Sequence, residues 1–436
     1  MIPESVRADE EDLVRRGTGL GGGSRSAAGA TCGERSGRTA EDALTAWEKG
    51  TGAFPYTELT RHYQAVGRDQ ASPALVRRLA AVPRSRQDAF LAAWLPMTCD
   101  QESGGYPTYA GLPSHLLVTG GGTGRSVPGA AGDPERRRVL LDELTAAVVG
   151  ELAGTEATAA LLSPTPVVRA RLRATVRVLT HLDVLAPGHR LDPAVCVYPA
   201  EALARTEGPL SILSDAAQRA AKAIGEQVST EMATTAAWTV LPVTRLHDEI
   251  MFIRTIQIFE ALYEQIGLAV TATRDLLVEG QVADGTETLA RAVDRMTILP
   301  SLFRLLGTMP VASFAVIRGY TSGRSAVQSH SYRRVEIACA ERPAPSVPGA
   351  ATPSWTGPTL QEAYLEFRKA PGAVRLAEQF ARLDTAWRGM KRSHWAITLR
   401  IIGKVPGTGG TTGASYLRTA SETPLFPALA EKENLS

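Results

Sequence analysis

The sequence predicts an all-α protein, built as a bundle of helices. Two observations carry this. Apolar residues recur every three or four positions over long stretches, and the strict alternation that marks strands is weak throughout. With 436 residues, 44% hydrophobic and 21% charged, the chain has room for two or three domains and can bury a sizeable core. No internal repeat is visible.

Residues 1–40 read as a disordered tail, because Gly17 to Gly33 is almost all Gly, Ser, Ala and Thr and offers too little apolar surface to offset ordering entropy. From Ala43 onward the apolar spacing becomes helical, and Leu75–Leu95 and Leu140–Leu152 are predicted helices. A stretch rich in Gly and Pro, Gly104 to Gly132, separates them. It contains GGGTGRS, Gly120 to Ser126, which lacks the GK[ST] ending of a phosphate-binding loop and reads as a surface loop. Residues 41–210 are taken as a helical extension of unassigned role, and residues 211–436 as a second domain.

The strongest helix runs from about Asp248 to Leu277. Phe252, Ile256, Phe259, Tyr263, Ile266 and Val270 repeat at intervals of 4, 3, 4, 3 and 4, while Met251, Ile253, Ile258 and Leu262 add apolar surface elsewhere. A helix apolar all round is expected inside a bundle. Asp248 and Glu249 sit in its first turn, where the helix dipole favours negative charge. Leu289, Met296, Leu299, Phe303 and Leu306 mark a second helix, with a bend expected at Pro300. After an irregular connector with prolines at 343, 345, 348, 353 and 358, a third runs from about Gly372 to Ile402. Its stripe is Leu376, Phe380, Leu383, Trp387, Met390, His394, Ile397 and Ile401.

His394 occupies a core position of that stripe. Its two ring nitrogens must be satisfied away from water. It is either a core histidine bonded to a carbonyl or an axial ligand inside the bundle. No second histidine or carboxylate stands three or four positions away on that face, and a single protein ligand suits haem, whose macrocycle brings four nitrogens of its own. Nine residues after His394 the helix gives way at Gly403, and a glycine-rich run, Gly407 to Arg418, follows as a loop that lets backbone approach something closely. In the apolar segment Ser313 to Gly319, Phe314 and Arg318 lie four apart on one helix face. The rigid guanidinium there either holds a carboxylate ligand or forms a structural salt bridge with Glu249 or Glu336.

These elements, in this order, resemble the haem-dependent tryptophan 2,3-dioxygenase superfamily. The residues are His247-Asp248-Glu249 leading to Phe252, Ile317-Arg318, Ser325 to Ser329, Tyr332-Arg333 with Glu336, then His394 and the Gly407–Arg418 loop. The resemblance covers roughly His247 to Pro427, about two-fifths of the chain. It implies a helical bundle enclosing a b-type haem over residues 211–436, with O2 as co-substrate. His394 would be the proximal ligand to the haem iron. Arg318 and Thr408 would clamp the carboxylate and ammonium of an amino-acid substrate. Phe252, Ile256 and Phe314 would line the indole pocket, Ser325 would sit near haem and ring, and Gly407, Gly409 and Gly410 would close the site.

The departures are specific. The family's distal histidine position, four residues after Phe252, is Ile256, which cannot accept a hydrogen bond from an indole N–H. Ala326-Val327 replaces a Gly-Phe pair, Phe314 lacks a hydroxyl usual at its position, and ordinary members have no counterpart of residues 41–210. The implied function is therefore a haem-dependent oxygenase acting on the indole ring of tryptophan or a modified tryptophan, in secondary metabolism and as a monooxygenase. The alternatives are a plain tryptophan 2,3-dioxygenase forming N-formylkynurenine and a non-catalytic haem-binding sensor.

Composition narrows the partners. Lys and Arg number 47 against 45 Asp and Glu, a net +2, which argues against nucleic acid. Mean hydropathy is -0.07, and no run approaches the ~18 apolar residues of a membrane span. Cys32, Cys99, Cys196 and Cys339 lie 67, 97 and 143 residues apart, too sparse for a zinc site or a disulfide framework. The N-terminus lacks the apolar stretch of a signal peptide. A cytoplasmic homo-oligomer, dimer or tetramer, is expected, taking a small indole amino acid as substrate and touching neither nucleic acid nor membrane.

Overall fold

The computed structural model describes residues 4–17, 32–99, 133–192, 194–195, 202–203, 209–320, 329–341, 355–403 and 412–429. Among these residues every regular element is helical. The first unit holds α1 (Glu4–Gly17), α2 (Cys32–Glu48), α3 (Tyr56–Val66), α4 (Pro73–Ala80) and α5 (Ala89–Cys99). The second holds α6 (Pro134–Leu162), α7 (Pro166–Leu179), α8 (Leu182–Leu185), α9 (Leu210–Gly225) and α10 (Thr230–Trp238). The third holds α11 (His247–Val278), α12 (Val282–Leu306), α13 (Val311–Tyr320), α14 (His330–Cys339), α15 (Leu360–Phe367), α16 (Ala373–Ile401) and α17 (Ala414–Glu422). Several helix starts are capped as the residue types demand. Asp133, Thr165, Ser229 and Ser329 accept backbone N–H groups of the first turn, and Thr359 forms a capping box with Glu362.

The core divides differently from the chain. One large core runs unbroken from Leu144 through α6, α7, α9, α11, α12 and α16 to Phe426. A boundary at 210 is therefore not where packing separates: α6 lies against α9 and α11 as a full member of the bundle. A smaller core joins α2 to α5, centred on Leu59, Tyr63, Phe90 and Trp94. It docks on the segment that leads into α11. Trp238 stacks on Tyr56 at 4.3 Å, and the Arg68 side chain donates to the carbonyls of Leu241 at 2.9 Å and Met97 at 2.6 Å. Gly67, at φ 78, lies so close to this segment that a Cβ would come within 2.5 Å of the Val243 carbonyl.

The tail reading of residues 1–40 is corrected at two places. Glu4–Gly17 is a helix, and so is the chain from Cys32 onward. In α1, Val6, Glu10, Leu13 and Val14 fall at the i, i+4, i+7, i+8 spacing of one face; the three apolar residues pack on the large core. The glycine-rich run between dominated the composition and hid that face. The run itself, like the Gly104–Gly132 loop, lies outside the described residues. Leu75–Leu95 is two helices, because Pro83 and a 3-10 turn at Arg84–Arg86 interrupt it. Helix α12 runs through Pro300 as one element. No single described helix is long and apolar enough to cross a membrane.

Candidate functional site

The His247-Asp248-Glu249 triplet opens α11, and each residue has its own anchor. The buried Glu249 carboxylate accepts the N–H groups of Val243 at 2.9 Å and Thr244 at 2.7 Å, and the Thr244 hydroxyl at 2.6 Å. It thereby turns the chain into the helix. His247 Nε2 lies 3.0 Å from Glu156 of α6, and Asp248 pairs with Arg171 of α7. The helices that the family resemblance leaves unassigned are thus bolted to its first motif.

Past this start, α11 is wrapped by protein. From Met251 to Gly267 every residue is buried except Phe252 and Ile256. These two stand one turn apart on one face, as the spacing predicts. Opposite them, α13 presents Phe314, whose ring lies 6.2 Å from Phe252, edge to face. Arg318, one turn on, is half-buried on the same helix. Ile256 also packs toward Val240 and Ile253, a small patch separate from the main core.

Helix α16 shows the same break in burial. Leu376, Phe380, Leu383, Trp387 and Met390 of its stripe are buried, but His394 and Ile397 are only half-buried, and Ile401 closes again. His394 stacks flat on Phe303 of α12 at 5.2 Å and 19°. Phe303 in turn meets Phe259 of α11 at 4.7 Å. Phe259 is two turns beyond Phe252, about 10 Å along the axis. The aromatic rings therefore link the Phe252 face of α11 to the histidine.

The surroundings of His394 fit the group that the resemblance implies. Burial pushes its pKa down to about 4, so the imidazole is neutral near pH 7 and keeps a lone pair to donate. Among the described residues neither ring nitrogen has a hydrogen-bond partner. No described group of three or more His, Cys, Asp or Glu is placed to hold a bare metal ion. A half-buried neutral imidazole in apolar and aromatic surroundings suits a group that takes a single nitrogen from the protein. These residues would hold it: His394 on the iron, with Phe303 and Ile397 beside it.

One turn before His394, Lys391 donates to Glu336 of α14 at 3.1 Å, and Glu336 also accepts from Arg333 at 2.9 Å and the Tyr332 hydroxyl at 3.2 Å. Burial raises the Glu336 carboxyl, but Lys391 and Arg333 outweigh it and hold the group below its ordinary value. Tyr332 stacks on Trp387 at 5.0 Å, and the Tyr263 hydroxyl donates to Met390 Sδ at 3.5 Å. This ionic and aromatic brace fixes the segment of α16 that carries the histidine. The Tyr332-Arg333…Glu336 motif belongs to it, which the sequence did not disclose. Phe303 and Phe259 were legible only as core. Ser325, Gly407, Thr408, Gly409 and Gly410 lie outside the described residues.

Fold and geometry together define, among the described residues, an all-α bundle in which a half-buried neutral imidazole stacks on an aromatic ring, and in which a separate helix bears a half-buried arginine. A sequence profile of the tryptophan 2,3-dioxygenase family matches residues 215–351. The tryptophan 2,3-dioxygenase of Anaeromyxobacter sp. (strain K) is 26% identical over 231 residues, covering 43% of this chain and 87% of that protein. The enzyme of the same name from Pseudomonas fluorescens is 28% identical over 235 residues, covering 43% of this chain and 83% of its own. The one from Polaromonas sp. is 27% identical over 235 residues, with 43% and 80% covered. Over less than half of its length, the chain is thus similar to tryptophan 2,3-dioxygenases.

Proposed function

We propose that this protein is a haem-dependent oxygenase of secondary metabolism that oxidises the indole ring of a tryptophan bearing a substituent at or beside the ring nitrogen. Its relatives carry the name tryptophan 2,3-dioxygenase, and the broader class, a haem oxidoreductase acting on tryptophan with O2, follows from that kinship. The observation that supports the site is the coincidence of open positions: Phe252 and Ile256 in the stretch Met251 to Gly267, otherwise buried, and His394 and Ile397 on a stripe otherwise buried. Haem, when bound, supplies the iron centre at which O2 is activated.

The chain's own residues do the rest. His394 offers a neutral nitrogen, and the Lys391–Glu336 brace holds its helix. Arg318 binds the substrate carboxylate through its planar fork. Thr408 and the glycines around it complete the amino-acid clamp. Phe252 and Phe314 line the indole pocket. Ile256 faces the indole nitrogen with hydrocarbon. An unsubstituted N–H buried there costs roughly 1–3 kcal/mol, whereas a methyl group gains ~0.8 kcal/mol by packing. Both effects favour a substituted indole. One inserted oxygen is the expected outcome, and a cytoplasmic homo-oligomer belongs to the same reading.

The name shared by the relatives favours a second reading, insertion of two oxygens into tryptophan itself. Product mass under labelled O2 separates the two. The clamp is tested by Arg318→Ala, which should weaken use of an amino-acid substrate by at least ~10-fold, with Arg318→Lys rescuing in part. Unchanged affinity in Arg318→Ala would remove the carboxylate assignment.

A further inference from the structure

We propose that Glu10 is a positioning residue for the substrate pocket, holding the two helices that form its wall at a fixed separation. The inference rests on the reading of Phe252, Phe314 and Arg318 as substrate-facing. Glu10 is 2% exposed, and both of its carboxylate oxygens are engaged. Oε1 accepts the backbone N–H of Arg245 at 2.9 Å, and Oε2 accepts the Tyr320 hydroxyl at 2.8 Å. Arg245 stands two residues ahead of α11. Tyr320 is the last residue of α13, two beyond Arg318. One carboxylate on α1 therefore ties together the ends of both wall helices.

The seat of α1 is close. A Cβ added at Gly319, next to Arg318, would lie 2.8 Å from Val6 Cγ1. The α1 surface thus rests on the backbone of α13 at the turn that carries the arginine. Arg7 extends the hold to Asp69, at 3.1 Å, in the turn after α3. At the other end of the wall the tie is the Phe252–Phe314 edge contact. The two ties differ in kind. An aromatic edge contact tolerates sliding, whereas hydrogen bonds to a charged group fix direction. Bidentate recognition of a carboxylate needs that directional placement, since misplacement of a binding group by about 1 Å weakens it steeply. A purely apolar helix could have covered α13 without the desolvation cost of a buried carboxylate. The anchor at Tyr320 accounts for its presence.

The test uses the full-length, haem-loaded chain and three variants: Glu10→Gln, Gly319→Ala, and Gly319→Ala combined with Val6→Ala. Tryptophan and N1-methyltryptophan are the probes, with affinity read from their perturbation of the haem spectrum. Hydrogen exchange of the Phe314–Tyr320 amides is followed separately in haem-free protein. Glu10→Gln should raise Kd and KM about 10-fold, leave kcat within about twofold and haem content unchanged, and speed exchange over Phe314–Tyr320. Gly319→Ala should act in the same direction, and Val6→Ala should restore most of the loss by making room. A Glu10→Gln protein that melts earlier but keeps its KM and its exchange pattern would make Glu10 a plain structural contact and overturn the proposal. If Glu10→Gln fails to fold, the Gly319→Ala pair decides alone: no change in KM, or no rescue, overturns it. Should Arg318→Ala and Phe314→Ala also leave affinity untouched, the failure belongs to the pocket reading instead.

Discussion

The interface of α11 with α6 and α12 and the wall that α11 forms with α13 are built in opposite ways. The first is charged and closed. Asp142 of α6, 2% exposed, accepts from Gln265 at 2.7 Å, from Arg295 of α12 at 3.2 Å and from Arg138 at 2.8 Å. Beside it Glu264 pairs with Arg137 of α6 and, at 3.0 Å, with Arg334 of α14. The second is apolar and open: Phe252, Ile256 and Phe314 meet without closing over one another. Composition alone suggests the reverse, that charged positions face water and apolar ones are sealed. Directional bonds define one arrangement of α6, α11 and α12 and hold the frame rigid, while the apolar wall leaves surface for something else to cover.

The largest break in this contrast is expected at His394. His394→Ala should abolish the Soret band of the haem-loaded protein, because no other described histidine stands on the open stripe. A normal spectrum in that variant would move the ligand elsewhere. The next largest tests the closed interface. Arg295→Ala leaves Asp142 buried with one partner fewer and should cost about 3 kcal/mol in denaturant unfolding. Asp142→Leu combined with Arg295→Met should cost less than the single change, because the uncompensated charge disappears with its partner. A double variant worse than the single would show that the charges themselves stabilise the frame.

Ile256→His sharpens the open side. It should shift relative kcat/KM for tryptophan over its N1- and C2-methyl derivatives by about 10-fold toward tryptophan, the range set by regaining one hydrogen bond and giving up the packing of one methyl group. Strong exclusion of both derivatives by the natural protein, with tryptophan doubly oxygenated, would favour the two-oxygen reading. The smallest effect is one of pH in the haem-free protein. The His394 pKa is pushed down to about 4 by burial, against 6.5 when unfolded. Its contribution to stability is complete above pH 6.5 and is lost as pH falls toward 4, since the unfolded chain then takes up a proton that the folded imidazole refuses. Melting temperature should fall over that range more steeply in the natural chain than in His394→Leu; equal slopes would contradict the desolvation of this ring.

Much of this was legible in one dimension. The periodicities of α11 and α16 placed both helices within a residue or two of their observed ends, and the same patterns put Phe252 with Ile256, and Phe314 with Arg318, on shared faces. What spacing could not separate was an apolar position sealed by a neighbour from one left open, since both carry the same kind of side chain. His394 and Ile397 sat in an unbroken stripe with Trp387 and Met390, yet only the first two remain accessible. Helix α1 was hidden for another reason: its four face residues are diluted by the glycine run that follows, and Glu10 reads as a solvent-facing acid until Tyr320 and Arg245 are brought to it.

By itself, then, the sequence determined the all-α class, the principal helices and the residue types that could bind a macrocycle and an amino acid. Those follow from local periodicity and from chemistry carried by single side chains. Only the tertiary structure decided that α6 and α7 belong to the bundle, that Phe303 faces His394, and that α1 seats on α13. Each depends on contacts between residues far apart in the chain: His247 and Glu156 lie 91 positions apart, and Glu10 and Tyr320 lie 310. Burial is a property of the assembled neighbours rather than of the residue buried, so no pattern within one helix encodes which of its apolar positions stays open.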